Sequence, residues 1–176
     1  MIVYFVRHAS AGASLENSKK DEKRGLDREG IEQCGYIGRA LAALEVQVEL
    51  IVSSPLKRSS QTAALVGNEM GYEGKIMMDP GLRPAATFAE FRSLLERHRK
   101  HEAIMVVGHN PNLSEFLGKL ISAPGAEAAV DFKKGTVARV ELRRNAGELH
   151  WCVTPRLLRA VHAMAAESAR PKSSRK

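Results

Sequence analysis

Two histidines and two arginines in this chain could share one task. Arg7 and His8 stand together near the start, Arg58 ends the stretch Ser53-Ser-Pro-Leu-Lys-Arg58, and His109 sits in Gly108-His-Asn-Pro111. Two guanidinium forks and two imidazoles around one point suit a small dianion, above all phosphate. A neutral imidazole is a competent nucleophile toward phosphorus, provided its other nitrogen holds the proton. His8 is the candidate nucleophile, and a backbone carbonyl in the loop after it would fix that tautomer. Arg7 and Arg58 would grip the equatorial oxygens of the moving phosphoryl group. His109, protonated by the anion beside it, would be a third donor, and Asn110 a further substrate-binding candidate. A metal site is the competing reading of paired histidines. The arginines would repel a cation, however, and no HxH or HExxH spacing occurs, so neither metal nor cofactor is expected. Taken singly, each residue could be a strand-end or surface polar group; only their joint placement favours chemistry.

That placement comes from the runs before them. Ile2–Val6, Val48–Val52 and Ala103–Val107 are apolar and β-branched, and read as buried parallel strands. In an open α/β sheet, ligands bind beyond the carboxyl ends of such strands. Between them the pattern predicts a polar loop from Ser10 to about Gly25. A helix follows with Asp27 as N-cap and Ile31, Cys34, Ile37, Leu41 and Leu44 on its apolar side. A second helix covers Lys57 to Met70 with Ala63, Ala64 and Val66. A short strand spans Lys75–Met78, and Thr87-Phe-Ala-Glu90 is a capping box. Asn110 and Pro111 read as N-cap and first residue of the helix after His109. Thr136–Leu142 and Glu148–Val153 read as a hairpin turned by Asn145-Ala-Gly147. The expected fold is a three-layer α/β/α arrangement with a mostly parallel central sheet.

Composition bounds the rest. A chain of 176 residues with 44% hydrophobic residues suits one globular domain. The first apolar run is too short for a signal peptide, and no apolar stretch could span a membrane, so a cytoplasmic protein without membrane association is expected. Cys34 and Cys152 read as isolated core thiols. The net charge of +7 is concentrated at the end: Pro155 to Lys176 holds six basic residues and one acid, leaving +2 for residues 1–154. Arg170 to Lys176 has nothing apolar to bury and reads as a disordered tail. With few aromatic residues in the body, no specific nucleic-acid partner is expected. His98 and His101 read as a solvated helix end, His150 as an outward-facing strand residue, and His162 as part of the terminal helix.

Val6-Arg7-His8, Ser53-Ser-Pro-Leu-Lys-Arg58-Ser-Ser-Gln-Thr-Ala63 and Gly108-His-Asn-Pro111 resemble the histidine phosphatase superfamily, with its phosphoglycerate mutase-like fold. Small size, Arg24-Gly-Leu-Asp-Arg-Glu-Gly30, Lys134-Gly-Thr-Val-Ala138 and Trp151-Cys-Val-Thr-Pro155 are most similar to the SixA-type phosphohistidine phosphatases. The resemblance implies a catalytic domain over residues 1–160, with 161–176 as helix end and tail. It also implies His8 as the phosphorylated residue, and Arg7, Arg58 and His109 around the phosphate. Two positions depart from the family pattern. Ala9 replaces the usual glycine, which a negative φ tolerates. Pro84 stands about where a general-acid glutamate would follow Leu82-Arg83. Asp79 and Glu90 are the nearby carboxylates, and Glu90 is better explained as a cap partner.

The missing acid selects among substrates. An alkoxide leaving group needs a proton from the enzyme in the transition state. A phosphorylated imidazole can take a proton from water at its remote nitrogen and leave neutral. The expected partner is therefore a phosphorylated protein, such as a histidine phosphotransfer domain of a signalling relay, reached through a minimal cap. A phosphatase for a small phosphate ester is the alternative enzyme. A non-catalytic phosphate-binding module is the alternative of another class, though a mere binder has no need of a nucleophilic imidazole.

Overall fold

Alternation along one buried strand divides the molecule into two cores. In the computed structural model, which describes residues 1–123, 125–144 and 146–168, strand β1 (Ile2–Arg7) sends Val3 and Phe5 into one core and Tyr4 and Val6 into the other. Successive side chains of a strand point to opposite faces, so a strand covered on both sides is apolar at nearly every position. β2 (Leu50–Ser53) and β4 (Ala103–Gly108) are buried throughout for the same reason.

The sheet also contains β3 (Ile76–Met78), β5 (Val137–Leu142) and β6 (Gly147–Val153), in the order β3-β2-β4-β1-β5-β6. The first four strands are parallel, and β5 and β6 add an antiparallel edge. Helices α2 (Arg28–Ala43) and α3 (Lys57–Glu69) cover one face through Cys34, Ile37, Leu41, Ala63 and Val66. α4 (Phe88–Arg97) and α5 (Asn112–Leu120) cover the other through Phe91, Leu94, Phe116 and Leu117. α6 (Pro155–Ser168) packs on α2, with His162 edge-on to Tyr36. This is the expected three-layer α/β/α fold. No helix among the described residues is long and apolar enough to cross a membrane.

Register brings the candidate residues to one edge. Arg7 pairs with Gly108 and Ser53 with Val107. One step further, the His8 N–H donates to the Gly108 carbonyl at 3.0 Å and the Ser54 N–H to the Val107 carbonyl at 2.9 Å. The three segments after β1, β2 and β4 therefore emerge side by side.

Local expectations shift in several places. The polar loop after β1 contains a short helix, α1 (Ser18–Glu22), capped by the Asn17 side chain; it buries nothing, so no apolar period marks it. Ile31 and Leu44 are 54% and 58% exposed, so the buried apolar side chains of α2 run from Cys34 to Leu41, with Gly30 buried in the first turn. Ala64 faces outward, and Cys152 is exposed although Cys34 is a core thiol. The helix after His109 begins at Asn112 with Pro111 as its cap, so Asn110 precedes it. The Thr87–Glu90 capping box forms as expected. Asn145 of the hairpin turn and the tail from residue 169 lie outside the described residues.

One glycine ties the fold to the sheet edge. A Cβ on Gly30 would lie 2.0 Å from the Ser10 carbonyl oxygen, two residues beyond His8. The first turn of α2 thus rests directly on that backbone. Gly30→Ala is expected to destabilise the protein by about 2 kcal/mol, as overpacking against backbone does. Urea unfolding measures this, and an unchanged midpoint and slope would show that the loop yields without cost.

Candidate active site

His8 is 6% exposed at the end of β1. Its Nδ1–H donates to the Ala9 carbonyl at 2.8 Å. That bond assigns the proton to Nδ1 and leaves a lone pair on Nε2. Burial lowers the pKa to about 4; the bond to Ala9 opposes this, while the charges of Arg58, Arg7 and Lys134 add to it. The ring is therefore neutral at ordinary pH.

The backbone behind His8 is fastened at each residue. The Ala9 N–H donates to Thr62 Oγ1 at 3.1 Å, and the Thr62 hydroxyl donates to the Arg58 carbonyl at 2.7 Å. The Ser10 N–H donates to Gln33 Oε1 at 2.8 Å. Asp27, besides capping α2 at the Gly30 N–H, accepts from the Ser10 hydroxyl and the Gly12 N–H. Among the described residues only Glu45 has a positive φ outside glycine. Ala9 therefore adopts its place without backbone strain, and the methyl is accommodated.

Each arginine is anchored through one nitrogen. Arg7 Nη1 donates to the Phe132 carbonyl at 2.8 Å. Arg58 Nη1 donates to the Asp21 carbonyl at 2.9 Å and to Asp21 Oδ2 at 3.1 Å. Burial lowers both guanidinium pKa values, and the charges of Asp131 near Arg7 and Asp21 near Arg58 push the other way. His109 is 2% exposed, and its ring centroid is 5.0 Å from that of His8. The hydroxyls of Ser54 and Ser59 lie 2.9 and 3.2 Å from its Nε2. Ser54 Oγ also accepts from the Leu56 N–H, and a hydroxyl with a second lone pair can serve Nε2 in either tautomer. Burial, then His8, Arg58 and Arg7, lowers the His109 pKa to about 2. In the ligand-free protein His109 is thus neutral, and its protonation awaits an anion.

The polar atoms left over are informative. Arg7 Nε, Arg58 Nε and His109 Nδ1 are buried and have no hydrogen-bond partner. Buried polar nitrogens are nearly always paired, so two guanidinium donors and an imidazole nitrogen from different segments at one edge suit an anionic ligand. Asn110 is engaged through its amide nitrogen, which donates to Ser114 Oγ at 2.8 Å and to the Phe132 carbonyl at 2.9 Å, while its Oδ1, like Thr136 Oγ1, is buried without a partner. It shares that carbonyl with Arg7 and so braces the arginine rather than offering a donor.

The carboxylates of the middle loop have structural work. Asp79 Oδ1 accepts from the Gly81 N–H at 2.7 Å, and its Oδ2 meets Arg97 Nη2 at 2.5 Å. Glu90 accepts from the Thr87 N–H and hydroxyl, which hold it below the usual carboxylate range. The remaining histidines have local partners: His101 on Glu49, His98 near His101, His150 between Arg139 and Glu141, and His162 on Tyr36. Asp21 is the site residue that sequence reasoning missed. Arg24 and the Leu15 N–H hold it at about 2, so it is a permanent anion on Arg58. Its one sequence signal is the Asn17 cap that starts α1.

The chain is similar to several known proteins. Residues 3–86 match the family model described as histidine phosphatase superfamily (branch 1). An uncharacterised protein of Picosynechococcus is 32% identical over 119 residues, 66% of this chain and 70% of the relative. Phosphohistidine phosphatase SixA of Escherichia coli is 23% identical over 93% of this chain and 100% of its own length. A structure of the protein histidine phosphatase SixA complexed with tungstate superposes with a TM-score of 0.80 at 24% identity, covering 90% of this chain and 99% of that one.

Two expectations concern anion binding. A bound dianion raises the pKa of both imidazoles, so binding takes up protons and tightens as pH falls from 8 to 5. Sulfate keeps its charge over that range, and calorimetry in two buffers of different protonation enthalpy measures the uptake. Binding without proton uptake would separate the histidines from the anion. Arg7→Ala and Arg58→Ala should each weaken sulfate by about 10-fold or more, the worth of a charge-assisted donor. Exposed Lys57→Ala should change it little, and equal losses at Lys57 and Arg58 would put the anion on the wrong face of α3.

Proposed function

The chain belongs to the histidine phosphatase superfamily, so phosphatase chemistry is its coarse assignment, and from that premise we propose that it dephosphorylates a protein-borne phosphohistidine through a covalent intermediate on His8. The observation that carries this reading is the pairing of a neutral, tautomer-fixed His8 with the unpartnered nitrogens of Arg7, Arg58 and His109.

In the first step His8 Nε2 attacks phosphorus while the bond from phosphorus to the substrate's imidazole breaks. Arg7 and Arg58 neutralise the equatorial oxygens, where charge resides in the transition state. The His8 proton stays on Nδ1, where the Ala9 carbonyl accepts it and stabilises the ring as it becomes cationic. The departing imidazole has taken a proton from water and leaves neutral. In the second step water attacks phosphorus, the bond to Nε2 breaks, and phosphate and neutral His8 are regenerated.

Substrate class follows from the leaving group. Asp79 and Glu90 spend their oxygens on Gly81, Arg97 and Thr87, so neither is a free acid for an alkoxide. The SixA relative is named for phosphohistidine, which supports the same choice.

The test is a single-turnover panel of a histidine-phosphorylated protein, p-nitrophenyl phosphate, phosphoserine and a sugar phosphate. Phosphohistidine and p-nitrophenyl phosphate should far outrun the alkyl esters in kcat. The quenched enzyme should carry a base-stable, acid-labile phosphate on His8, and His8→Ala should abolish turnover while keeping the fold. Substantial turnover by that variant would sink the covalent mechanism. Asp79→Asn should leave p-nitrophenyl phosphate turnover nearly unchanged. If alkyl phosphates react as fast as phosphohistidine, and Asp79→Asn removes that ability, a small-ester phosphatase replaces this reading.

A further inference from the structure

Arg7 faces two places: the unpartnered anion site, and a cleft of about 820 Å³ beside it. The cleft runs between the loop before β5, the first turn of α2 and the first turns of α6. Besides Arg7 it is lined by Lys133, Lys134, Arg156 and Arg159, against Glu29 and Asp131. The acids are engaged: Asp131 pairs with Lys133 at 2.9 Å, and Glu29 accepts from the Gln33 amide at 3.1 Å. Lys134 lies close enough to His8 to lower its pKa. Arg156 and Arg159 sit one turn apart on α6, exposed, with Arg159 over the Tyr36 ring at 5.8 Å. Positive charge thus continues from Arg7 around the lining of this cleft, past what a single phosphate needs.

We propose that this cleft binds an acidic polypeptide segment flanking the phosphorylated side chain, so that carboxylates of the substrate protein set its affinity. The inference rests on the phosphatase reading. A second phosphate on a small molecule fits less well, because compact dianions are held by convergent, buried forks. Here the cations beyond Arg7 are strung along an open groove on long side chains, and no buried unpartnered donor lies among them. Such a row matches carboxylates spaced along an extended or helical segment, and it acts on encounter and specificity.

The test compares two histidine-phosphorylated peptides that differ only in Glu or Gln at the flanking positions, with p-nitrophenyl phosphate and a sugar bisphosphate as controls. The protein should prefer the acidic peptide by about 10-fold in kcat/KM, mainly through KM, and the preference should shrink with salt. Arg156→Glu combined with Arg159→Glu should erase it while leaving p-nitrophenyl phosphate turnover within about twofold, since charges that far from the phosphate act on binding alone. No preference in the native protein, or a preference that survives the double variant, overturns the proposal. So does a loss confined to the sugar bisphosphate, which would mark a small-polyanion subsite. Fluorescence anisotropy with the labelled, unphosphorylated acidic peptide reads the cleft without turnover: binding lost in the double variant supports it, and no binding by the native protein overturns it. Failure to hydrolyse any substrate would instead sink the phosphatase reading, and the binding arm keeps the two failures apart.

Discussion

A buried guanidinium, that of Arg58, and a half-buried one, that of Arg7, lie beside two buried imidazoles, with Asp21, Glu22 and Asp131 as nearby counter-charges. That crowding is the constraint on which the sheet edge depends. It is unfavourable while the site is empty, since buried charge costs several kcal/mol unless paired. The imidazoles respond by staying neutral, at pKa values near 4 and 2. The rest of the structure holds the group together regardless. Parallel register fixes where β1, β2 and β4 end, and Gly30 lets α2 press on the backbone behind His8. On the proposed function, a dianion would meet donors that are already desolvated and aimed, which is the physical content of electrostatic preorganisation.

The same constraint explains what was legible in the sequence. Strands covered on both faces must be apolar throughout, so Ile2–Val6 and Ala103–Val107 announce themselves. A polar residue at the end of such a strand is immediately visible, as the candidate site residues Arg7, His8 and His109 are. Other features leave no such mark. α1 buries nothing, so no period betrays it, and with it goes Asp21, whose role exists only because the chain folds back over Arg58. Asn110 looks like a cap because its type suits one, yet its amide finds Ser114 and Phe132 once Pro111 takes the cap position. Ile31 and Leu44 fit a helical period that outruns the neighbouring elements, so they emerge into solvent.

The middle loop shows how a carboxylate can be present and still be unavailable. Asp79 begins a short 3-10 turn, Pro80–Leu82, through the Gly81 N–H and reaches Arg97 on α4. It ties the loop to the outer layer of the fold. A general acid must instead keep a proton directed at the leaving group. On the proposed reading, a carboxylate spent in this way leaves the substrates whose leaving groups need no help.

Asp21 poses a further question, because an anion on Arg58 competes with the phosphate that Arg58 is proposed to bind. The geometry resolves this by dividing the guanidinium. Asp21 takes Nη1 through both its carboxylate and its carbonyl, while Nε stays unpartnered. Arg7 is divided in the same way, with Nη1 on the Phe132 carbonyl and Nε left over. A planar fork held at one corner has its remaining N–H groups fixed in direction. Each arginine therefore gives up part of its hydrogen-bonding capacity to orient the rest. Since Asp21 stays ionised down to a pKa of about 2, the anchor on Arg58 holds at every pH at which His8 keeps its lone pair.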